Sequence, residues 1–376
     1  MKKTLLTLAI TSLSVSAAFA EPTLSGRIFI IGNYVDGEFK DSNANDDNGI
    51  RRNGDFDGDT FEIESHKSSI GLEGSEPITA KTDVIYELEY DIGVDGESRT
   101  FESRSTYLGL ANDNYGELRV GKYFSPIDMI NNVAVTQGFW DNLGTTALSE
   151  DTRAVQALNM ADAPPRVSNS VSWVSPKFDN LPIEVAFMYA ASEDFSNGSG
   201  DENDTDNGYG SYLTYEQSGL VASLAYDKDI DIIGDLIRGT VTYDMSDIID
   251  VPVTFGALYQ QADYDNRSDK EKGFVISASL QLNNFSRPAS IYVQYNNAAN
   301  LDGRKDADSD QFVIGGQYDI KDNIIAHAYA GINKADDIQG VSGSDTTDID
   351  SDSDNVVFGS GNTELIAIGG GLQYYF

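Results

Sequence analysis

The sequence predicts an all-β fold, a transmembrane antiparallel β-barrel of about sixteen strands. Three observations predict it. Apolar residues recur at every second position through much of the chain. Tight turns alternate with long acidic connections. The chain ends on the aromatic run Tyr374-Tyr375-Phe376.

Lys2 and Lys3 precede a mostly apolar stretch from Leu5 to Phe19, and Ala18-Phe19-Ala20 follows the small-x-small cleavage pattern. That is the form of a secretory signal peptide, so residues 1–20 are set aside and the barrel domain is expected over 21–376. No later apolar run is long enough for a membrane-spanning helix. A barrel strand needs only about ten residues with alternate positions apolar, and a mean-hydropathy scan passes over it.

The strands show that alternation. From Lys81 to Ile92, Val84, Tyr86, Leu88, Tyr90 and Ile92 share one face, while Asp83, Glu87, Glu89 and Asp91 share the other. Ile237, Val241 and Tyr243 alternate with Arg238, Thr240, Thr242 and Asp244. The same holds for Phe274 to Asn283 and for Ile291 to Asn296. Strand starts are expected near Thr23, Phe61, Lys81, Glu102, Gly116, Arg166, Pro182, Tyr209, Leu220, Leu236, Val251, Gly273, Ala289, Ser309, Asn323 and Asn362. The even number suits an up-and-down barrel, and closure is required because lipid offers no partner to an open sheet edge.

The connections fall into two sets. Tight ones include Asp113 to Gly116, Gln217-Ser218-Gly219 and Lys321-Asp322-Asn323. Longer, mostly acidic ones include Asp36 to Thr60, Ser125 to Pro165, Ser192 to Gly208 and Ala335 to Gly361. Short turns at one rim and long loops at the other are what an outer-membrane barrel shows. No interdomain linker is evident.

Composition narrows the function classes. There is no cysteine, hence no disulfide framework and no thiolate metal site. The net charge is −36, and removing Lys2 and Lys3 leaves 23 basic against 61 acidic residues, or −38. Such a surface repels nucleic acid and gathers cations. With 20 Tyr and 17 Phe the acidic chain is not composed like a disordered one.

Several segments resemble the general porins of Gram-negative bacteria. Ser68-Ser69-Ile70-Gly71-Leu72-Glu73-Gly74-Ser75-Glu76 resembles that family's second-strand S-R-x-G-F-x-G-x-E. Tyr107-Leu108-Gly109-Leu110 and Tyr115-Gly116-Glu117-Leu118-Arg119-Val120-Gly121-Lys122 resemble its F-V-G-L and F-G-x-x-x-x-G-R. Arg166 to Phe178 resembles R-x-x-N-S-V-x-Y-x-S-P-x-F, and Leu372 to Phe376 resembles the signal read by the barrel-assembly machinery. The resemblance implies a sixteen-stranded homotrimer in outer-membrane lipid and lipopolysaccharide, passing small solutes and ions passively. It also implies that the third long loop, Ser125 to Pro165, folds into the lumen as a constriction loop. Two positions depart from the pattern: Ser69 and Lys122 stand where arginines are common.

Selectivity in such a pore is set by width and charged rings. Constriction-loop candidates are Asp128, Trp140, Asp141, Glu150, Asp151 and Asp162. Pore-wall candidates are Arg27, Lys67, Glu87, Arg119, Lys122 and Arg238. Parity places Arg27 opposite Leu24, Ile28 and Ile30, and Arg119 opposite Leu118 and Val120, hence inward. Lys122 needs a register shift at Gly121 to follow them. The acidic excess predicts a modest preference for cations.

Other readings follow particular residues. Asn53, Asp55, Asp57, Asp59 and Glu64 have the spacing of a calcium-binding EF-hand loop, though without flanking helices. They read first as a solvated acidic loop, and second as a loop-bound Ca2+ or Mg2+ site; no other cofactor is expected. Phe139 and Trp140 admit a saccharide-specific channel, by stacking on sugar rings, as well as a role in anchoring the loop. His66 and His327 sit in no recognisable catalytic motif, which disfavours an outer-membrane hydrolase. A secreted adhesin would need a polar exterior.

Overall fold

The computed structural model describes residues 22–41, 56–96, 101–141, 160, 166–178, 181–192, 207–249, 251–339 and 360–376. The signal-peptide assignment therefore lies outside the described residues. The strand segments are β1 (Thr23–Asp41), β2 (Phe56–Ser65), β3 (Ser69–Thr79), β4 (Thr82–Asp91), β5 (Glu102–Asn112) and β6 (Gly116–Tyr123). They continue with β7 (Val167–Val174), β8 (Ile183–Ala190), β9 (Gly208–Gln217), β10 (Leu220–Lys228), β11 (Gly234–Asp244) and β12 (Val253–Tyr264). The last are β13 (Glu271–Gln281), β14 (Ala289–Ala299), β15 (Asp308–Lys321), β16 (Ile324–Gln339) and β17 (Ser360–Tyr375). No helix among the described residues is long and apolar enough to cross a membrane.

Each segment pairs antiparallel with its neighbours, and β17 pairs with β1 from Arg27↔Tyr375 to Asp41↔Gly361. Gly26 and Phe376 exchange backbone hydrogen bonds at 3.0 and 3.1 Å, so the terminal residue completes the seam. Both β2 and β3 pair with β1, one above the other. They are two halves of one wall strand, broken at His66–Ser68, where Lys67 takes a left-handed φ of 47°. The seventeen segments thus make a closed barrel of sixteen strands.

The predicted strand starts fall within two residues of the observed ones with one exception: β2 begins at Phe56, not Phe61. Phe56-Asp57-Gly58-Asp59-Thr60 is acidic and carries a glycine, so it reads as loop. It is recruited by pairing with the long β1, from Val35↔Thr60 to Phe39↔Phe56.

Alternation sorts the two faces. Ile276, Ile291, Ile314, Ile368 and Leu372 point outward and are about half exposed, forming the band that lipid would cover. The inward face of β10 to β17 is unusual for a pore. Leu258, Val275, Tyr292, Val313, Tyr329, Leu365 and Ala367 are buried there against Val133, Trp140 and Met160 of the segment that follows β6. Ile127 and Ile130 make a second cluster with Ala186, Tyr212, Ala225, Leu236 and Ala262. Burying each large apolar side chain is worth about 1.5–3 kcal/mol before chain entropy is charged against it. The interior core therefore seats the connection between β6 and β7 inside the barrel.

Candidate functional site: the constriction loop and the charged wall

The loop can be followed by its hydrogen bonds. It leaves β6 at Phe124, and Ser125 Oγ meets Asp231 Oδ2 at 3.3 Å. The Ile127 amide donates to Asp227 of β10, and Arg238 Nη1 of β11 donates to the Ile127 carbonyl. Asn132 then bonds Thr242 of β11, and Ser277 Oγ of β13 donates to the Val133 carbonyl at 2.6 Å. The Val135 amide donates to Gln294 of β14 at 2.8 Å. Trp140 Nε1 reaches the Ala367 carbonyl of β17 at 3.2 Å. Asp141 ends the described run at the β2–β3 break, 2.8 Å from Lys67 Nζ and 3.2 Å from His66 Nε2.

The loop thus lines the inner wall from β10 round to β2. Burial pushes the Asp141 carboxyl up, but the His66 bond and the Lys67 charge outweigh it and hold it below its ordinary value of 3.8. Arg27 supports the same break, donating from Nε and Nη2 to the Lys67 carbonyl at 3.0 and 2.6 Å.

The wall that the described part of the loop does not cover belongs to β3 through β7 and is charged. Arg104 contacts Glu89 at 3.1 Å and Asp91 at 2.6 Å, and Arg166 contacts Glu89 at 3.1 Å. Arg119 pairs with Glu117, and its guanidinium lies 4.2 Å from the Tyr123 ring centroid and 5.4 Å from that of Tyr107. Arg166 lies 4.2 Å from the ring centroid of Phe124. Glu73 and Glu87 are cross-strand partners. A cavity of about 550 Å³ opens on this wall, lined by Arg27, Glu73, Glu87, Glu89, Arg104 and Arg166 among others. Among the described residues such an arrangement offers width edged by fixed charges.

A family profile described as Gram-negative porin matches residues 5–338. The chain belongs to that family. Three solved structures share the fold at low sequence identity. An anion-selective porin from Comamonas acidovorans is 18% identical, with a TM-score of 0.67 over 95% of this chain and 99% of that one. OmpT of Vibrio cholerae in its trimer form is 15% identical, with a TM-score of 0.56 over 95% and 99%. Salmonella typhi OmpF in complex with daunomycin is 13% identical, with a TM-score of 0.57 over 96% and 99%. No protein of curated function matches in sequence. This is an outer-membrane porin for passive diffusion, a channel rather than an enzyme by family and fold.

The porin's predicted wall residues separate into groups. Arg27, Glu87 and Arg119 line the open wall. Lys67 stands at the strand break, bound to Asp141. Arg238 faces inward but is fully buried beneath the loop, where it bonds Gln260 and the loop backbone. It is a loop support and does not line the pore. Lys122 departs from expectation. The register shift does occur beside Gly121, whose φ of 142° suits a bulge in a residue without Cβ. It brings Tyr123, not Lys122, over Arg119. Lys122 instead pairs in register with Thr106, next to the outward Leu108, and its ammonium donates to the Ser103 carbonyl.

In the loop, the Asp128 amide donates to Ser125 Oγ at 3.2 Å, and Asp141 is the tether described above. Glu150, Asp151 and Asp162 lie outside the described residues. Trp140 is fully buried, so its ring cannot stack on a passing sugar; it anchors the loop. Phe139 packs against the same core. Of the EF-hand pattern, Asn53 and Asp55 lie outside the described residues. From Phe56 onward the chain is strand. Asp59 sits on the outward face with Phe61 and Ile63, and Glu64 on the inward one, so these two cannot close round one ion.

Arg104 and Arg166 were not among the predicted wall residues. Parity from Leu108 places Arg104 on the lipid side. A bulge opposite Glu89 turns it inward, since Leu88 pairs with Thr106 but Tyr90 pairs with Ser103. No sequence signal marks that bulge. Arg166 was visible in the motif that begins β7, but its contacts with Glu89 and Phe124 come from tertiary structure alone.

Proposed function

We propose that this porin passes small hydrophilic solutes and ions with a modest preference for cations, as a homotrimer. The observation that carries the reading is the described part of the interior loop, seated on one side of the lumen, with a charged wall on the other. The cation preference is supported by the mature charge of −38, derived from 23 basic and 61 acidic residues. The trimer is supported by the V. cholerae structure, described as a trimer form. Outer-membrane lipid and lipopolysaccharide would cover the apolar band. The barrel-assembly machinery would read Leu372 to Phe376. The acidic outer connections would gather Ca2+ or Mg2+ as counter-ions, and calorimetry that finds a stoichiometric ion would turn that into a site.

Planar-bilayer recording of the refolded protein tests the reading. Stepwise triplet openings, with a reversal potential in a salt gradient on the cation side, are expected. No conductance would overturn the channel, and clear anion preference would overturn the charge preference.

A further inference from the structure

Resting on the channel reading above, we propose that the root of the constriction loop is a proton-operated joint: one proton shared between the Asp227 and Asp231 carboxyl groups holds Ser125 to Ile127 on the β9–β11 wall, and alkaline pH loosens that hold. Asp227 falls on the inward face of β10, opposite Gly210 of β9 and Leu236 of β11. Asp231 lies in the connection to β11, and its side chain returns to hydrogen-bond that of Asp227. Gly210 makes the room, since a Cβ there would collide with Asp227 Oδ1. Asp227 is 1% exposed, and its Oδ1 is buried without an amide, hydroxyl or amine donor among the described residues. A carboxylate only accepts, so a hydrogen bond between two carboxyl groups needs a proton on one of them. Burial and the neighbouring charge both disfavour ionising the pair twice, and a shared proton relieves both costs.

The pair lies directly beneath the loop. Ser125 Oγ meets Asp231 Oδ2 at 3.3 Å and accepts from the Asp128 amide at 3.2 Å. The Ile127 amide donates to Asp227 Oδ2 at 3.3 Å, and Ile127 and Ile130 fill the apolar cluster alongside. Among the described groups around the pair, Arg238 of β11 brings a positive charge to Asp227. Gln260 of β12 accepts from Arg238, and the Tyr212 hydroxyl of β9 donates to Glu184. Asp229 accepts from the Gly234 amide, and Lys228 turns to Asp229, Asp235 and Asp265. Once the root lifts, both carboxyls meet water and ionise near their ordinary value of about 3.9. The seated root then holds one proton more than the lifted one. Rising pH favours lifting by up to about tenfold per pH unit, from about pH 4 until the seated pair also loses its proton.

Bilayer recording across pH, with infrared spectra of the same refolded protein, tests the joint. Wild-type openings are expected to grow noisier between about pH 6 and about pH 10, reversibly. Asp231→Asn keeps the hydrogen bond through an amide that does not titrate, and is expected to stay quiet over that range. Asp227→Asn is the second such variant, should the first fail to fold. Asp231→Ala is expected to be noisy throughout. At neutral pH the infrared carbonyl band of protonated carboxyl groups is expected to weaken in both Asn variants. Heat-modifiable migration verifies a closed barrel in each. A wild type that stays quiet at alkaline pH would overturn the proposal, as would an alkaline response that persists in the Asn variants or a carbonyl band that they leave unchanged. Noise brought on at neutral pH by a calcium chelator would also overturn it, because a cation and not a proton would then bridge the carboxyls. A protein without conductance whose carbonyl band still weakens in the Asn variants would overturn the channel reading and support the shared proton.

Discussion

Along β12 and β13 the inward residues include Leu258, Ala262 and Val275, all buried; along β4 they are Ile85 and the acidic Asp83, Glu87, Glu89 and Asp91. Both stretches obey the same period of two, and both put apolar side chains outward toward lipid. They differ in what the inward face meets. On the β10–β17 side it meets a loop that carries its own apolar side chains, and together they exclude water. On the β3–β7 side it meets the solute path. Among the described residues the barrel interior is thus part pore and part core, and the described part of the loop belongs to the folded core.

That comparison can be broken most severely from the loop side. Trp140→Ala empties a fully buried site and is expected to weaken the loop's seat by about 3–5 kcal/mol. Single-channel records should show larger and noisier openings, while heat-modifiable migration still reports a closed barrel. A quiet channel of wild-type conductance would mean the apolar half is not what holds the loop. Gly331→Val approaches the same contact from the wall. A Cβ there would lie 2.6 Å from the Trp140 ring, and overpacking of this kind costs about 1–3 kcal/mol. The same noise is expected, in smaller measure.

Asp141→Asn should do least, because partly exposed ion pairs contribute about 1 kcal/mol or less. Its pH dependence is nevertheless specific. A carboxyl held below its ordinary 3.8 contributes in full above that value and loses its contribution as pH falls through the lowered one. The wild-type loop should therefore stay tethered from pH 7 down to 5, with extra noise only below about 3.8. Noise that grows between pH 7 and 5 would point to a group other than Asp141.

The strand wall was legible in the sequence because a barrel in lipid enforces alternation wherever the outward face must be apolar. The starts near Thr23, Glu102, Gly116, Leu220 and Ala289 coincide with the observed ones for that reason. What was not legible lies where alternation stops carrying information. Val275 and Leu258 are apolar on the inward side, and their sequence neighbours do not say what covers them. Arg104 is hidden by a bulge, and Lys122 is displaced from the lumen by the register that the Gly121 bulge leaves in place. Trp140 was visible as an aromatic in a long loop, yet only its depth separates an anchor from a sugar platform. Charges such as Arg238 declare that they face inward, but not whether a loop lies over them.

The chain has no cysteine, which allows a direct test of the part-pore, part-core arrangement. Glu87→Cys and Leu258→Cys, each alone, would be exposed to a charged, water-soluble thiol reagent during bilayer recording. Current is expected to fall on modification of Glu87→Cys and to be untouched in Leu258→Cys. Rapid modification of Leu258→Cys, with loss of current, would contradict that arrangement.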